Sequence, residues 1–476
     1  MVLQCFSPFV KQCIVTIGVT INMAGMGLVL GFSTVLLPQL KEPDSIIQIN
    51  DSSGSWIAAI PGFSIVVGNF TIPSIMTKFG RKVAILATIA VSALGWLCVV
   101  LSNSVELMIA ARFIQGISIG MITVLGPVII GECTSPKNRG AFLMTIALSI
   151  GFGVFLIHTI GIYLHWQTTS YICIAFVLVD LFIVVLTPET PNWLASQGKH
   201  DECRKVFRSL RGDNEDEELE KMITASIVVN KEKETEHEPK TFVKRMEANL
   251  RYLKATVKER AFYKPVLVML HIYTMAQWSG VNIVTSYTMD LVENVIGPEA
   301  NVAIMIISID IQRLISSTIS LIIIRKIRRR LLLFITVSLD LITFIVLAGY
   351  TYAKQNDLLP YDSPYIGIVL IHIHVFSIVT GAMPLSYVLA GELYPMQYKG
   401  LCGGISSLFM SLNVFLVVKT IPVLFSSIGF PFTYLLYACV VGYCLFVTSV
   451  FLPETKDRTL QDIEEELRGR KLSLTH

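Results

Sequence analysis

Twelve predominantly apolar runs dominate this chain, each long enough to cross a hydrocarbon layer. They lie near 11–37, 55–77, 83–102, 107–131, 141–164, 169–188, 263–290, 301–324, 331–352, 364–390, 401–424 and 430–452. A helix that spans lipid needs about 20 such residues. The runs are too long and too continuous for a membrane barrel, whose strands alternate over segments of roughly 10 residues. Composition points the same way. Only 15% of the 476 residues are charged and 53% are hydrophobic, whereas a soluble domain carries about 25% charge. Too little polar surface exists to coat the roughly three soluble domains that length alone would suggest. The first run continues past residue 30 without a clear cleavage site, so it reads as a transmembrane helix rather than a signal peptide. The nine cysteines form no C-x-x-C pattern, and most sit in apolar runs as small buried hydrophobes. No disulfide, metal site or cofactor is expected. A net charge of +3 provides no overall basic field for nucleic acid.

An even number of spans puts both termini on one side, and the basic residues say which. Lys78, Arg81 and Lys82 follow span 2, Lys137 and Arg139 follow span 4, a basic run over 325–330 follows span 8, and Lys399 follows span 10. The opposite loops offer Lys41 and Lys354 and little else. The positive-inside rule therefore places these exits and both termini in the cytoplasm. Asn50-Asp51-Ser52 then falls in the first outer loop as an accessible glycosylation sequon, with a chance tripeptide as the alternative. Residues 195–262 carry 15 Lys/Arg and 14 Asp/Glu. That segment reads as a cytoplasmic linker of short amphipathic helices with a solvated acidic stretch at 213–220. The expected organisation is a six-helix bundle over 1–194, the linker over 195–262, a second bundle over 263–452 and a cytoplasmic tail over 453–476.

The two bundles repeat each other. Gly131-Glu132 with Arg139-Gly140 after span 4 matches Gly391-Glu392 with Lys399-Gly400 after span 10, an offset of 260 residues. Pro188-Glu189-Thr190 matches Pro453-Glu454-Thr455 at an offset of 265, and Gly80-Arg81-Lys82 matches Arg328-Arg329-Arg330 at 248. Parallel six-span repeats imply a pseudo-two-fold axis along the membrane normal, with the substrate path where the halves meet. Arg81, Arg112, Glu132, Arg139, Glu392 and Lys399 are the candidate cytoplasmic gate. Acid and base at equal spacing in both halves suit bridges that form when the inner mouth closes. The plainer reading is that they anchor helix ends in headgroups.

The motifs resemble those of the sugar porter family of the major facilitator superfamily, over the length of the chain. The carriers of the resemblance are Arg112-Phe113-Ile114-Gln115-Gly116, Pro127 through Glu132, Pro188-Glu189-Thr190-Pro191-Asn192-Trp193-Leu194, Gln277-Trp278-Ser279-Gly280-Val281-Asn282, and Pro453 through Leu460, which resembles PETKGRTL. Ser55-Trp56 and Lys264-Pro265 look like the branch that contains insect facilitated trehalose transporters. The resemblance implies an all-α fold of twelve transmembrane helices in two pseudo-symmetric bundles. It also implies facilitated movement of a hexose or a trehalose-like sugar; a monomer in the cell membrane is expected, and no nucleotide loop, nucleophile elbow or metal-ligand spacing points to an enzyme.

A sugar presents many hydroxyls and no charge, so buried groups that both donate and accept must replace its water. The resemblance makes Gln277 and Asn282 on span 7 the best ligands, with a helix break at Ser279-Gly280 turning both inward. Two interhelical glue residues is the alternative. Tyr287 is placed to cover the site from outside, and Tyr387 stands where the family has a Trp on span 10. Several family amides are missing. Ala276, Ala147 and Met410-Ser411 occupy amide positions, and the span-8 position is Arg313 beside Gln312. Asp310 lies three residues before Arg313 on the same helix face, which offers it a partner. An unpaired Arg313 would instead favour an organic anion. The place of the span-1 acid of proton-coupled family members is Ser33, which argues for uniport. The acids of the family's loops after spans 2 and 8 are also gone, which leaves a non-transporting sugar sensor as a further alternative.

Overall fold

In lipid every backbone N–H and C=O must be satisfied within its own segment, so an apolar run of this length can only be a helix. The computed structural model describes residues 6–212, 215–235, 256–297, 301–359, 361, 363–456, 458, 463 and 465–466. Among these there is no strand. Six helices come first: α1 (Pro8–Lys41), α2 (Asp51–Phe79), α3 (Arg81–Val100), α4 (Val105–Cys133), α5 (Pro136–Tyr163) and α6 (Trp166–Leu186). Three more polar helices follow: α7 (Pro191–Ser196), α8 (His200–Arg211) and α9 (Asp216–Thr235). Span 7 is cut into α10 (Arg260–Trp278), α11 (Val281–Ser286) and α12 (Thr288–Val295). Then come α13 (Val302–Lys326), α14 (Arg329–Gln355), α15 (Pro364–Thr380), α16 (Ala382–Leu393), α17 (Lys399–Ser427) and α18 (Gly429–Phe451). Among the described residues eleven continuous stretches, with α15 and α16 counted as one, are long and apolar enough to cross a membrane. The broken span 7 makes twelve.

Helix ends are capped where the sequence supplies a short polar side chain. Ser104 accepts from the amide of Leu107, and Asn301 from that of Ile304. Asn50 accepts from Ser53 N–H at 2.8 Å while its own N–H donates to Ser53 Oγ, a reciprocal cap at the start of α2.

By Cα proximity the chain divides into two compact units. One is drawn from 1–29, 64–153 and 165–250, the other from 30–63, 154–164 and 251–476. Within the first, α3 packs on α4 and on α6. The α2–α4 crossing is close because both helices present glycine there. A Cβ on Gly68 would stand 2.7 Å from the amide nitrogen of Met121 and 2.9 Å from Cα of Gly120. Within the second unit, α14 packs on α18 and α10 packs on α17 and α18. The α3–α6 and α14–α18 contacts are the same pairing in the two repeats.

The linker helices build a small core of their own from Leu194, Ala195, Cys203, Phe207, Leu219 and Ile223. Cys203, Phe207 and Leu210 recur at helical spacing along α8, which gives it one apolar face. The acidic stretch is more than a solvated linker. Arg204 pairs with Glu220 at 3.0 Å, Arg208 with Asp216 at 2.9 Å and Arg211 with Glu218 at 2.9 Å, which fastens α9 to α8. The part of the linker over 236–255 lies outside the described residues.

Candidate functional site

Two matched polar clusters stand at corresponding helix ends. In the first, Arg81 Nη2 meets Glu132 Oε1 at 2.8 Å and its Nη1 donates to the carbonyl of Met76. Glu189 accepts from the backbone N–H of Arg81 at 3.0 Å, of Lys82 at 3.1 Å and of Thr190 at 2.8 Å. In the second, Arg329 Nη2 meets Glu392 Oε1 at 3.5 Å and its Nη1 donates to the carbonyl of Ile324. Glu454 accepts from the backbone N–H of Arg329 at 3.0 Å and of Arg330 at 3.2 Å. Each carboxylate of the P-E-T motif thus satisfies orphan amides at a helix start, where the dipole favours negative charge. Burial pushes the Glu189 carboxyl up from its ordinary value, against the downward pull of these three amides and of Arg81.

The predicted gate residues divide on inspection. Arg81, Glu132 and Glu392 belong to the clusters, and Arg329, which the sequence reading left out, completes the second. Arg139 donates to the carbonyl of Thr134 at 3.3 Å and lies 4.0 Å from Glu218. Lys399 begins α17, but its side chain lies outside the described residues. Arg112 is a correction. It sits on α4 twenty residues (132 − 112) before Glu132, which is about 30 Å along the axis at 1.5 Å per residue. There it is 1% exposed and donates through Nη1 to the carbonyl of Val29 and to Gln115 Oε1, both at 2.9 Å. Its order in the chain, not its charge, should have kept it out of the set.

Span 7 breaks at Gly280, which has φ +85° and separates α10 from α11. This conformation is open to glycine and strained for other residues. Across the break, Asn282 Nδ2 donates to Gln277 Oε1 at 3.2 Å and to the backbone carbonyl of Gln277 at 3.1 Å. The two amides therefore act as one unit, with Gln277 3% exposed. Trp278, between them in sequence, donates to Asn413 Oδ1 at 3.3 Å and packs on Tyr437 with ring centroids 4.9 Å apart. Asn413 is a span-11 amide that motif alignment, pointing at Met410-Ser411, missed.

The other predicted ligands are dispersed. Arg313 is 8% exposed. Its Nη2 donates to Thr285 Oγ1 at 3.1 Å and reaches the carbonyl of Val284 at 3.4 Å, at the end of α11. Its Nη1 lies 3.9 Å from Asp310, as the three-residue spacing predicted. Asp310 in turn makes a 2.6 Å bond to Nδ1 of His158, both fully buried. Gln312 turns away to the carbonyl of His372 at 2.6 Å. Tyr287 is buried and donates to the carbonyl of Val418 at 3.2 Å, while Tyr387 is 45% exposed. Other intramembrane charges find partners that sequence did not supply. Asp340 lies 3.1 Å from Nδ1 of His374. Lys419 donates to Ser55 Oγ at 2.6 Å and sits 4.4 Å over the ring of Trp56.

Two six-helix repeats, with a broken seventh span and buried amides beside the break, define a polytopic membrane protein. The profile of the sugar (and other) transporter family matches residues 15–467, and the chain belongs to that family. Among its relatives are the facilitated trehalose transporters Tret1 of Culex quinquefasciatus and Bombyx mori. The first is 26% identical over 97% of this chain and 86% of that protein, the second 27% over 96% and 86%. Tret1 of Aedes aegypti is 25% identical over 96% of this chain, which spans only 55% of its length. The inward-open structure of the xylose transporter XylE from E. coli is 16% identical over 95% of this chain and 99% of its own, with a TM-score of 0.74. XylE bound to 6-bromo-6-deoxy-D-glucose gives a TM-score of 0.73 at 17% identity. At these identities the likeness is one of fold.

Proposed function

We propose that the protein is a facilitative carrier of a neutral sugar, either trehalose or a hexose, that works by alternating access in the cell membrane. The observation that carries this reading is the Gln277–Asn282 pair, two amides fixed to each other at a helix break. Amides at a hinge suit a ligand whose hydroxyls need both donors and acceptors and whose release requires movement. The span-11 amide Asn413 beside Trp278 restores one of the amides that alignment counts as lost. The trehalose-transporter relatives favour trehalose. Arg313 supports an anion carrier only if its charge is free, and its contacts with Asp310, Val284 and Thr285 argue against that.

Tyr287 and Tyr387 are then lining residues, and Arg313 supports the site from behind through Val284 and Thr285. The Arg81–Glu132 and Arg329–Glu392 pairs rivet helix ends at the cytoplasmic mouth and loosen when it opens. Both termini are cytoplasmic, the working unit is a monomer, and Asn50 carries a glycan through the Nδ2 that its cap leaves unused.

The test is uptake of labelled trehalose and glucose by hexose-transport-deficient cells that express the full chain. Loss of a buried hydrogen-bonding partner is worth about 1–3 kcal/mol, so Gln277→Ala should lower apparent sugar affinity roughly ten-fold or more. Surface-expressed protein without uptake of either sugar would favour the sensor, and unchanged uptake by Gln277→Ala would remove the pair from the site.

A further inference from the structure

The break in span 7 is not left to glycine alone. His374, on α15, lies with its ring edge against it. A Cβ added to Gly280 would stand 2.6 Å from His374 Nε2, 3.1 Å from its Cε1 and 3.4 Å from Cζ of Phe344. The imidazole therefore fills the space that the missing side chain leaves. It is also immobilised from behind. Nδ1 lies 3.1 Å from Asp340 Oδ1 and 3.3 Å from Thr343 Oγ1, and Ser377 donates to the same Asp340 oxygen at 3.0 Å. Phe344 packs on the ring at 4.7 Å and Tyr434 at 5.9 Å between centroids. His374 is 0% exposed and Asp340 1%.

An acid and an imidazole buried together in a membrane are expensive and call for a role. A merely adhesive pair would do as well anywhere along α14 and α15. This one abuts the residue where span 7 turns, with Gln277 three positions before it and Asn282 two positions after (280 − 277 and 282 − 280). Neither nitrogen nor carboxylate is placed among the sugar ligands above.

We propose that His374, held by Asp340, is a positioning residue that props the Gly280 break and so sets the aim of the Gln277–Asn282 amides. The chain of support runs from Ser377 and Asp340 through the imidazole to the backbone of Gly280, and from there to the two amides. A sugar meets only the last of these. Withdrawing the ring lets the break relax, which loosens the geometry in which the amides were held without removing them. The consequence falls on affinity more than on turnover, because the Arg81–Glu132 and Arg329–Glu392 pairs at the cytoplasmic ends are untouched. The inference rests on the reading of Gln277 and Asn282 as sugar ligands.

The experiment uses the full chain reconstituted in liposomes, with initial rates of labelled trehalose and glucose uptake over a range of concentrations. For the better of the two sugars, His374→Ala and Asp340→Ala are expected to raise KM about ten-fold while the maximal rate stays within about three-fold. Asp340→Asn keeps an oxygen facing Nδ1 and is expected to stay within about three-fold of the native KM. Gly280→Ala adds both a strained φ and a collision with the ring. Introduced into His374→Ala, where the collision is gone, it should do less than about half the damage it does to the native protein. A native KM in folded His374→Ala overturns the proposal, and so do additive effects of the two substitutions. If His374→Ala is not recovered folded, His374→Asn keeps a donor near the Nδ1 position but withdraws the ring edge. A native KM there overturns the proposal equally. Should Gln277→Ala leave uptake intact, the sugar-site reading itself fails. Should Gln277→Ala lose uptake while His374→Ala keeps its KM, only the positioning role fails.

Discussion

Glu189 and Glu454 each hold the first turn of a helix that begins far back in the chain, 108 and 125 residues away for the bonds to Arg81 and Arg329. The P-E-T motif is plain in the sequence as a repeated signature. Its task is not, because a carboxylate that caps a distant helix leaves no local spacing to read. Replacing Glu189 with Ala strands three amides at the α3 and α7 starts, while Gln keeps one acceptor oxygen. Thermal unfolding in detergent should show Glu189→Ala less stable by about 1–3 kcal/mol, and Glu189→Gln by roughly half as much. Equal stability of all three proteins would mean that water replaces the carboxylate at no loss. Arg112 shows the opposite failure. Its charge suggested a rim position, yet its place early in α4 buries it against the carbonyl of Val29 and the side chain of Gln115.

Elements were the most legible level. Lipid admits one backbone solution for a long apolar run, so the twelve runs became twelve spans with ends displaced by a few residues. The break in span 7 was legible as well, because Ser279-Gly280 interrupts an otherwise continuous helix, and φ +85° at Gly280 is the result. Its continuation into two short helices, α11 and α12, was not. How elements approach one another was legible only in part. Gly68 and Gly120 are unremarkable in sequence, and only the α2–α4 crossing shows that neither can grow. Overpacking a close crossing is worth about 1–3 kcal/mol, and backbone-to-backbone contact leaves no flexible side chain to yield. Gly68→Val should therefore lower the recovery of monodisperse protein in fluorescence-detected size-exclusion chromatography well below that of Val67→Ala, an exposed control on the same helix. Equal recovery would show that the helices can move apart freely.

At the scale of the whole molecule, the absence of an acid at Ser33 predicts transport without a coupled proton. In weakly buffered liposomes, sugar entry down its gradient should leave the outside pH unchanged within error, and an alkaline shift that follows the sugar would make the protein a symporter. Epitope tags at either end should be reached by antibody only after permeabilisation, since the loops rich in Lys and Arg lie on the same side as the termini. By itself, the sequence determined the class, the number of spans and the repeat, because hydropathy and spacing act locally and the bilayer permits few alternatives. Tertiary structure decided which polar side chains meet. Asp310 beside Arg313 could be read from a three-residue spacing, but Asp340 with His374, Asp310 with His158 and Trp278 with Asn413 could not. Those pairs are made by helix rotation and depth, and both are set by the packing of the entire bundle rather than by any one stretch of it.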